Sequence, residues 1–187
     1  MSERGGAVHP KGLKEDSLKG RIELPMPPKT APSQAGASMP SGRGILDDPA
    51  ARTTLAKWLA MVASGDFGDL DSIIAVDAVY HSPVEWHPYP GHDLVCLLVR
   101  TAAGVFEDFR YERQMAGGSS AMLEFAAHVG DIQMKGAHLI RFNADGEILD
   151  IDLIARPAKG VMALGNGVGD KVGPQIKAAL AAVRSEL

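Results

Sequence analysis

Residues 132–142 read IQMKGAHLIRF, and the alternation within them decides the fold. Successive side chains of a strand point to opposite faces of its sheet. Ile132, Met134, Gly136, His138, Ile140 and Phe142 therefore share one face, while Gln133, Lys135, Ala137, Leu139 and Arg141 share the other. The first set is apolar apart from its histidine, so it is the predicted interior, and His138 is the polar exception within it. A polar side chain alone on an inward face needs a partner or a purpose. The ordinary explanation of a lone histidine is a hydrogen-bonded core residue, so a functional reading of His138 needs support from elsewhere.

Working outward, turn signals bracket this strand on both sides. Gly130-Asp131 leads back to a predicted strand over Ala121–Val129, and Gly117-Gly118 leads from there to another over Phe109–Met115. Asn143-Ala144-Asp145-Gly146 leads forward to a strand over Glu147–Ala155. In that last strand Leu149, Ile151, Leu153 and Ala155 are predicted to face in, with Asp150, Asp152, Ile154 and Arg156 on the other side. Upstream, Ala78–Val84 reads as a further strand stopped at Pro83. Helical spacing takes over before it. Asp48 is a predicted N-cap with Pro49 at the first helical position, Leu55, Trp58, Leu59 and Val62 form the apolar stripe, and Gly65 ends the helix. A shorter helix is predicted over Asp69–Val76 and a third over Asp93–Phe106. Helices followed by an antiparallel meander make an α+β domain over residues 47–157.

The flanks read differently. Residues 1–46 hold six of the chain's 12 prolines and few large apolar side chains, so burial cannot offset the entropy of ordering them. They are predicted to be a tail, with at most a short strand at Arg21–Leu24. Residues 158–187 begin with a glycine-rich passage, read as a linker, and end in a helix from Pro174 to about Arg184. The run Gly165–Gly169 is not a phosphate loop on this reading, because it follows an antiparallel sheet and lies in no βαβ unit.

Composition narrows the function classes. The chain has 187 residues, of which 45% are hydrophobic and 22% charged, with a formal net charge of -4. That is one ordinary domain with a sizeable core. The acidic balance and the lack of a Lys/Arg cluster argue against nucleic acid. A single cysteine, Cys96, excludes an internal disulfide and a thiolate-rich metal site. His81, His87 and His92 match no ligand spacing, so no metal and no cofactor is expected. Neither a membrane span nor a signal segment is visible, and a cytoplasmic location is the expectation.

Two segments carry a resemblance. Residues 65–84, GDFGDLDSIIAVDAVYHSPV, and residues 137–146, AHLIRFNADG, resemble the matching segments of bacterial ketosteroid isomerases. Residues 47–157 as a whole resemble the nuclear transport factor 2-like superfamily, in its SnoaL-like and ketosteroid isomerase-like branch. That superfamily also includes polyketide cyclases and limonene epoxide hydrolases. The resemblance implies a curved, cone-shaped sheet wrapped round a pocket and closed at one end by helices, and a homodimer through the convex sheet face. It also implies where the isomerase's catalytic groups fall: the base at Ser82, the oxyanion-hole carboxylic acid at His138 and the oxyanion-hole tyrosine at Trp58. None of the three is retained, yet each position keeps a polar group. Steroid isomerisation through a carboxylate base is therefore not expected.

Three readings follow. The first is acid–base chemistry, isomerase- or cyclase-like, on a small apolar molecule. In it His138 is the proton carrier, Ser82 and Trp58 orient the substrate, and Leu55, Leu59, Tyr80, Tyr111, Met134, Ile140, Ile151 and Leu153 line the pocket. The second is a binding or dimerising module without catalysis. The third is an epoxide-hydrolase-like enzyme built on Asp150, Asp152 and Arg156 or on Glu124 and His128. It requires those residues to face inward, against their alternation.

Overall fold

The structure is a computed structural model that describes residues 46–185. Most of the expected tail, including Arg21–Leu24, lies outside the described residues. The first helix, α1 (Pro49–Ser64), starts where Asp48 accepts a hydrogen bond from the Ala50 N–H at 2.9 Å. It stops at Gly65, whose φ of 72° is cheap only without a Cβ, and the Gly65 N–H closes on the Met61 carbonyl. Its buried stripe is Ala51, Thr54, Trp58 and Met61, with Leu55, Leu59 and Val62 at the margin, so the helix is rotated from the predicted face.

The predicted second helix is a single 3-10 turn, Leu70–Ile73, and β1 (Ile74–His81) begins immediately after it. The run Ile73-Ile74-Ala75-Val76 explains the correction, since β-branched side chains favour a half-buried strand over a helical turn. A two-residue strand, β2 (Tyr89–Pro90), and α2 (His92–Ala103) follow. The four meander strands are β3 (Glu107–Gly117), β4 (Ser120–Val129), β5 (Ile132–Phe142) and β6 (Ile148–Arg156).

Sheet order is β2-β1-β6-β5-β4-β3. The meander is antiparallel as expected, but β1 runs parallel to β6, with Tyr80 beside Ile151. The sheet is thus curved and unclosed as expected, but mixed rather than wholly antiparallel. Register shifts in β1, β3 and between Arg141 and Phe142 mark bulges, the usual device for bending a sheet. The bulge at Arg141 also puts Ile148 in the core, one residue off the strict alternation of β6.

The expected linker at 158–173 is also corrected. One helix, α3, runs from Ala158 to Ser185. Its glycines let it approach closely: a Cβ at Gly160 would lie 2.7 Å from Met134 Cγ, and one at Gly167 would lie 2.9 Å from Val105 Cγ1. Val161, Leu164 and Val172 are buried beneath it, and this packing outweighs glycine's poor helix propensity. No helix among the described residues is long and apolar enough to cross a membrane.

Candidate functional site

His138 projects from β5 into the concave side of the sheet and is 9% exposed. Three side chains from three elements form a relay there. The Trp58 indole N–H of α1 donates to the Tyr111 hydroxyl oxygen of β3 at 2.8 Å, and that hydroxyl lies 2.9 Å from Nδ1 of His138. The indole can only donate, and Nδ1 is the one acceptor within hydrogen-bond distance of that hydroxyl among the described residues, so the Tyr111 proton is assigned to Nδ1. The neutral ring then carries its own proton on Nε2. Aromatic rings enclose the imidazole: Trp58 meets it edge-on at 5.8 Å, and Phe125 and Phe109 lie at 5.3 Å and 6.0 Å. Burial in this setting disfavours the imidazolium and pushes the His138 pKa from 6.5 down to about 4. Desolvation likewise pushes the Tyr111 hydroxyl up, despite the opposing hydrogen bond from Trp58, so it remains a protonated donor.

His138 lines a cavity of ≈ 650 Å³, a volume suited to a small organic ligand, and its Nε2, unpaired among the described residues, is not sealed off from that space. Its inner wall is Trp58, Tyr80, Phe109, His138 and Ile151, and its mouth lies between the C-terminal ends of α1 and α2. Val62 to Gly65 form one lip, with Phe67 and Gly68 beside them; Val99, Arg100, Ala102 to Gly104 and Phe106 form the other. Arg100 fastens that mouth, donating through Nε to the Phe67 carbonyl at 3.2 Å and pairing with the Asp71 carboxylate. No carboxylate lines the cavity among the described residues.

The structure brings His138, Trp58 and Tyr111 together and leaves Ser82 apart. Ser82 borders a separate recess of ≈ 120 Å³, and its Oγ accepts from the Val84 N–H. Trp58 lines the cavity too, with its N–H directed to Tyr111. Of the residues expected to line the pocket, Tyr80 and Ile151 do so; Met134, Ile140 and Leu153 are core, and Leu55 and Leu59 pack at its edge. Phe109 of the wall and the Arg100 mouth were not foreseen, and Tyr111, expected to line the pocket, instead backs His138 through Nδ1. Phe109 and Tyr111 sit two apart in β3, a same-face aromatic pair that would have flagged the wall.

The carboxylates of the hydrolase reading lie elsewhere. Asp150 pairs with Arg141 at 3.0 Å and His81 at 3.3 Å, and Glu124 pairs with Arg113, so neither lines the His138 cavity. His128 likewise faces Asp108, at 3.6 Å. Among the described residues one potential metal cluster exists, with Asp71, His92 and Cys96 ligand atoms within 4.8 Å of one another. There Arg100 already neutralises Asp71, and burial pushes the Cys96 thiol up to about 12, so the thiolate a metal would need is disfavoured.

Helices on the concave side of a bent mixed sheet, enclosing a cavity, define a nuclear transport factor 2-like protein. The sequence pattern of the SnoaL-like domain matches residues 55–151, and the chain belongs to that family. A steroid delta-isomerase from Pseudomonas aeruginosa is similar at 38% identity over 71% of this chain and 99% of that one, with a TM-score of 0.67. An uncharacterised protein with a cystatin-like fold from Silicibacter pomeroyi is 33% identical over 64% and 84% of the two chains, with a TM-score of 0.61. An NTF2-like protein of unknown function from Mesorhizobium loti shares the fold at 17% identity, with a TM-score of 0.52 over 58% of this chain and 92% of that one. Among curated proteins nothing matches.

Proposed function

We propose that this protein binds a small, mostly apolar molecule in the cavity and holds its carbonyl or equivalent acceptor oxygen on Nε2–H of His138. The observation that carries this reading is the Trp58–Tyr111–His138 relay, which fixes the ring and leaves one donor for a ligand. In an apolar, desolvated site such a fixed donor polarises a carbonyl more strongly than water does. A neutral imidazole is a known electrophile in this role.

The same geometry weakens the proton-carrier reading. With its pKa near 4, protonating His138 at pH 7 costs about 4 kcal/mol. Among the described residues no carboxylate lines the cavity to serve as the base instead. Binding with carbonyl polarisation is therefore the first reading. Isomerase-like turnover is the second, favoured by the 38% identity to a steroid delta-isomerase.

Calorimetry with a fused-ring monoketone and its parent hydrocarbon tests the first reading. The ketone is expected to bind about tenfold tighter to the wild type, and His138→Phe removes that preference. Equal affinities in the wild type would overturn it. Conjugation of a β,γ-unsaturated ketone above the buffer rate, followed by ultraviolet absorbance, would establish the second.

A further inference from the structure

The lip of the cavity mouth that carries Phe67 and Gly68 is tied to α2 by two side chains, Arg100 and His92, and both meet at Asp71 of the 3-10 turn behind that lip. The Asp71 carboxylate accepts from the Arg100 guanidinium, which also donates through Nε to the Phe67 carbonyl at 3.2 Å. The Asp71 backbone carbonyl lies 3.2 Å from Nε2 of His92, the first residue of α2. Nδ1 of the same ring lies 2.9 Å from a carboxylate oxygen of Asp93. A carbonyl and a carboxylate can only accept, so both bonds form together only when each ring nitrogen carries a proton. This geometry calls for an imidazolium.

The hydrogen bond to Asp93, and after it the one to the Asp71 carbonyl, hold the His92 pKa above its ordinary value of 6.5. A raised pKa means that the tie is fully made below pH 6.5 and is lost as the pH climbs through the folded value. The titratable groups that face His92 are Asp93 and Cys96 on α2 and Asp71 on the turn. Asp77, Tyr80 and His81 of β1, Tyr89 of β2 and Lys171 of α3 belong to elements packed on α2, and none of them is hydrogen-bonded or ion-paired to His92. When the ring gives up one proton, the other stays on Nδ1, because a carboxylate is a stronger acceptor than a carbonyl. Nε2 then turns a lone pair toward the Asp71 carbonyl, and the tie becomes a repulsion. Leu70 and Ile73 keep the turn itself in the core, so the part loosened is the stretch before it, Phe67 and Gly68.

We propose that the His92 imidazolium is a latch on the cavity mouth, holding the Phe67 and Gly68 lip against α2 in acid and releasing it when the ring is deprotonated, so that entry to the cavity becomes easier as the pH rises. Arg100 keeps its charge throughout, so His92 is the member of the pair that makes the mouth respond to pH. The device needs the cavity but does not depend on the His138 reading of what occupies it.

Fluorescence quenching tests it without any ligand. Trp58 lines the cavity and the chain's other tryptophan, Trp86, is 91% exposed, so in Trp86→Phe the emission reports the cavity alone. Acrylamide, a small neutral quencher, is titrated between pH 6 and pH 9, a window that His138, at about 4, and Cys96, at about 12, do not enter. The quenching constant is expected to rise about fivefold across the window, with the midpoint of the His92 ring titration followed by NMR. Asp93→Asn in the same background takes away the carboxylate but not the ring, and should move both midpoints to lower pH. His92→Phe should be quenched at the high level throughout. A quenching constant that ignores pH in Trp86→Phe overturns the proposal. So does a pH step that survives His92→Phe, a His92→Phe level fixed at the acid value, or a midpoint unmoved by Asp93→Asn. Each of these outcomes leaves the ketone titrations, and with them the His138 reading, untouched.

Discussion

At the scale of single residues, the chemistry turns on how one imidazole is held. Among the described residues His138 gains a partner at Nδ1 and none at Nε2, and its surroundings are aromatic rather than charged. The consequence for stability has a definite sign. The unfolded chain binds a proton at this residue below pH 6.5, while the folded one resists until about pH 4. Stability attributable to the neutral ring is thus fully present above 6.5 and is lost as the pH falls toward 4, by about 3 kcal/mol in total. Urea titrations of wild type and His138→Phe at pH 7 and pH 4.5 check this, and the wild type should show the larger acid loss. His92, whose pKa Asp93 raises, works in the opposite direction in both proteins and cancels in the comparison. Equal acid losses would mean the ring is hydrated. Alternation in 132–142 was enough to aim His138 inward, because a strand's period is short-range geometry. The uses of Trp58 and Ser82 were not legible: their hydrogen bonds go to Tyr111 and the Val84 N–H, and the first of these partners is fixed only by tertiary packing.

At the scale of elements, α3 shows how packing overrides propensity. Gly167 and Gly169 are two residues apart in one helix, yet a Cβ on Gly167 would press on the stiff Val105 side chain while one on Gly169 meets open space. Gly169→Ala should raise stability by about 0.5–1 kcal/mol, and Gly167→Ala should lower it by about 1 kcal/mol as crowding exceeds the helix gain. Thermal denaturation of the two variants decides this, and similar shifts of one sign would refute the close approach. The same logic explains why the glycine-rich passage read as a linker. Glycine content advertises backbone freedom, and nothing local reveals that Met134, Val84 and Val105 wait on the other side. The meander was legible because Gly and Asn turns punctuate it. The parallel pairing of β1 with β6 was not, since it joins residues about 70 apart in sequence with no local signal.

For residues 46–185 as a whole, the cavity lies on the concave side and the charged pairs on the other strand faces, where Arg113–Glu124, Lys135–Glu112 and Arg141–Asp150 alternate with exposed Met115 and Ile154. That separation is what removes a carboxylate base from the pocket. It leaves a hollow lined by His138 and without a carboxylate among the described residues, the arrangement that the proposed carbonyl binding requires. Nitrogen-15 NMR of the His138 ring at pH 7, with and without a bound polycyclic ketone, tests this most directly. The expected result is a neutral ring protonated on Nε2, whose Nε2 proton moves downfield when the ketone is added. A ring protonated on Nδ1, or an Nε2 proton indifferent to a ketone that binds, would contradict the assignment.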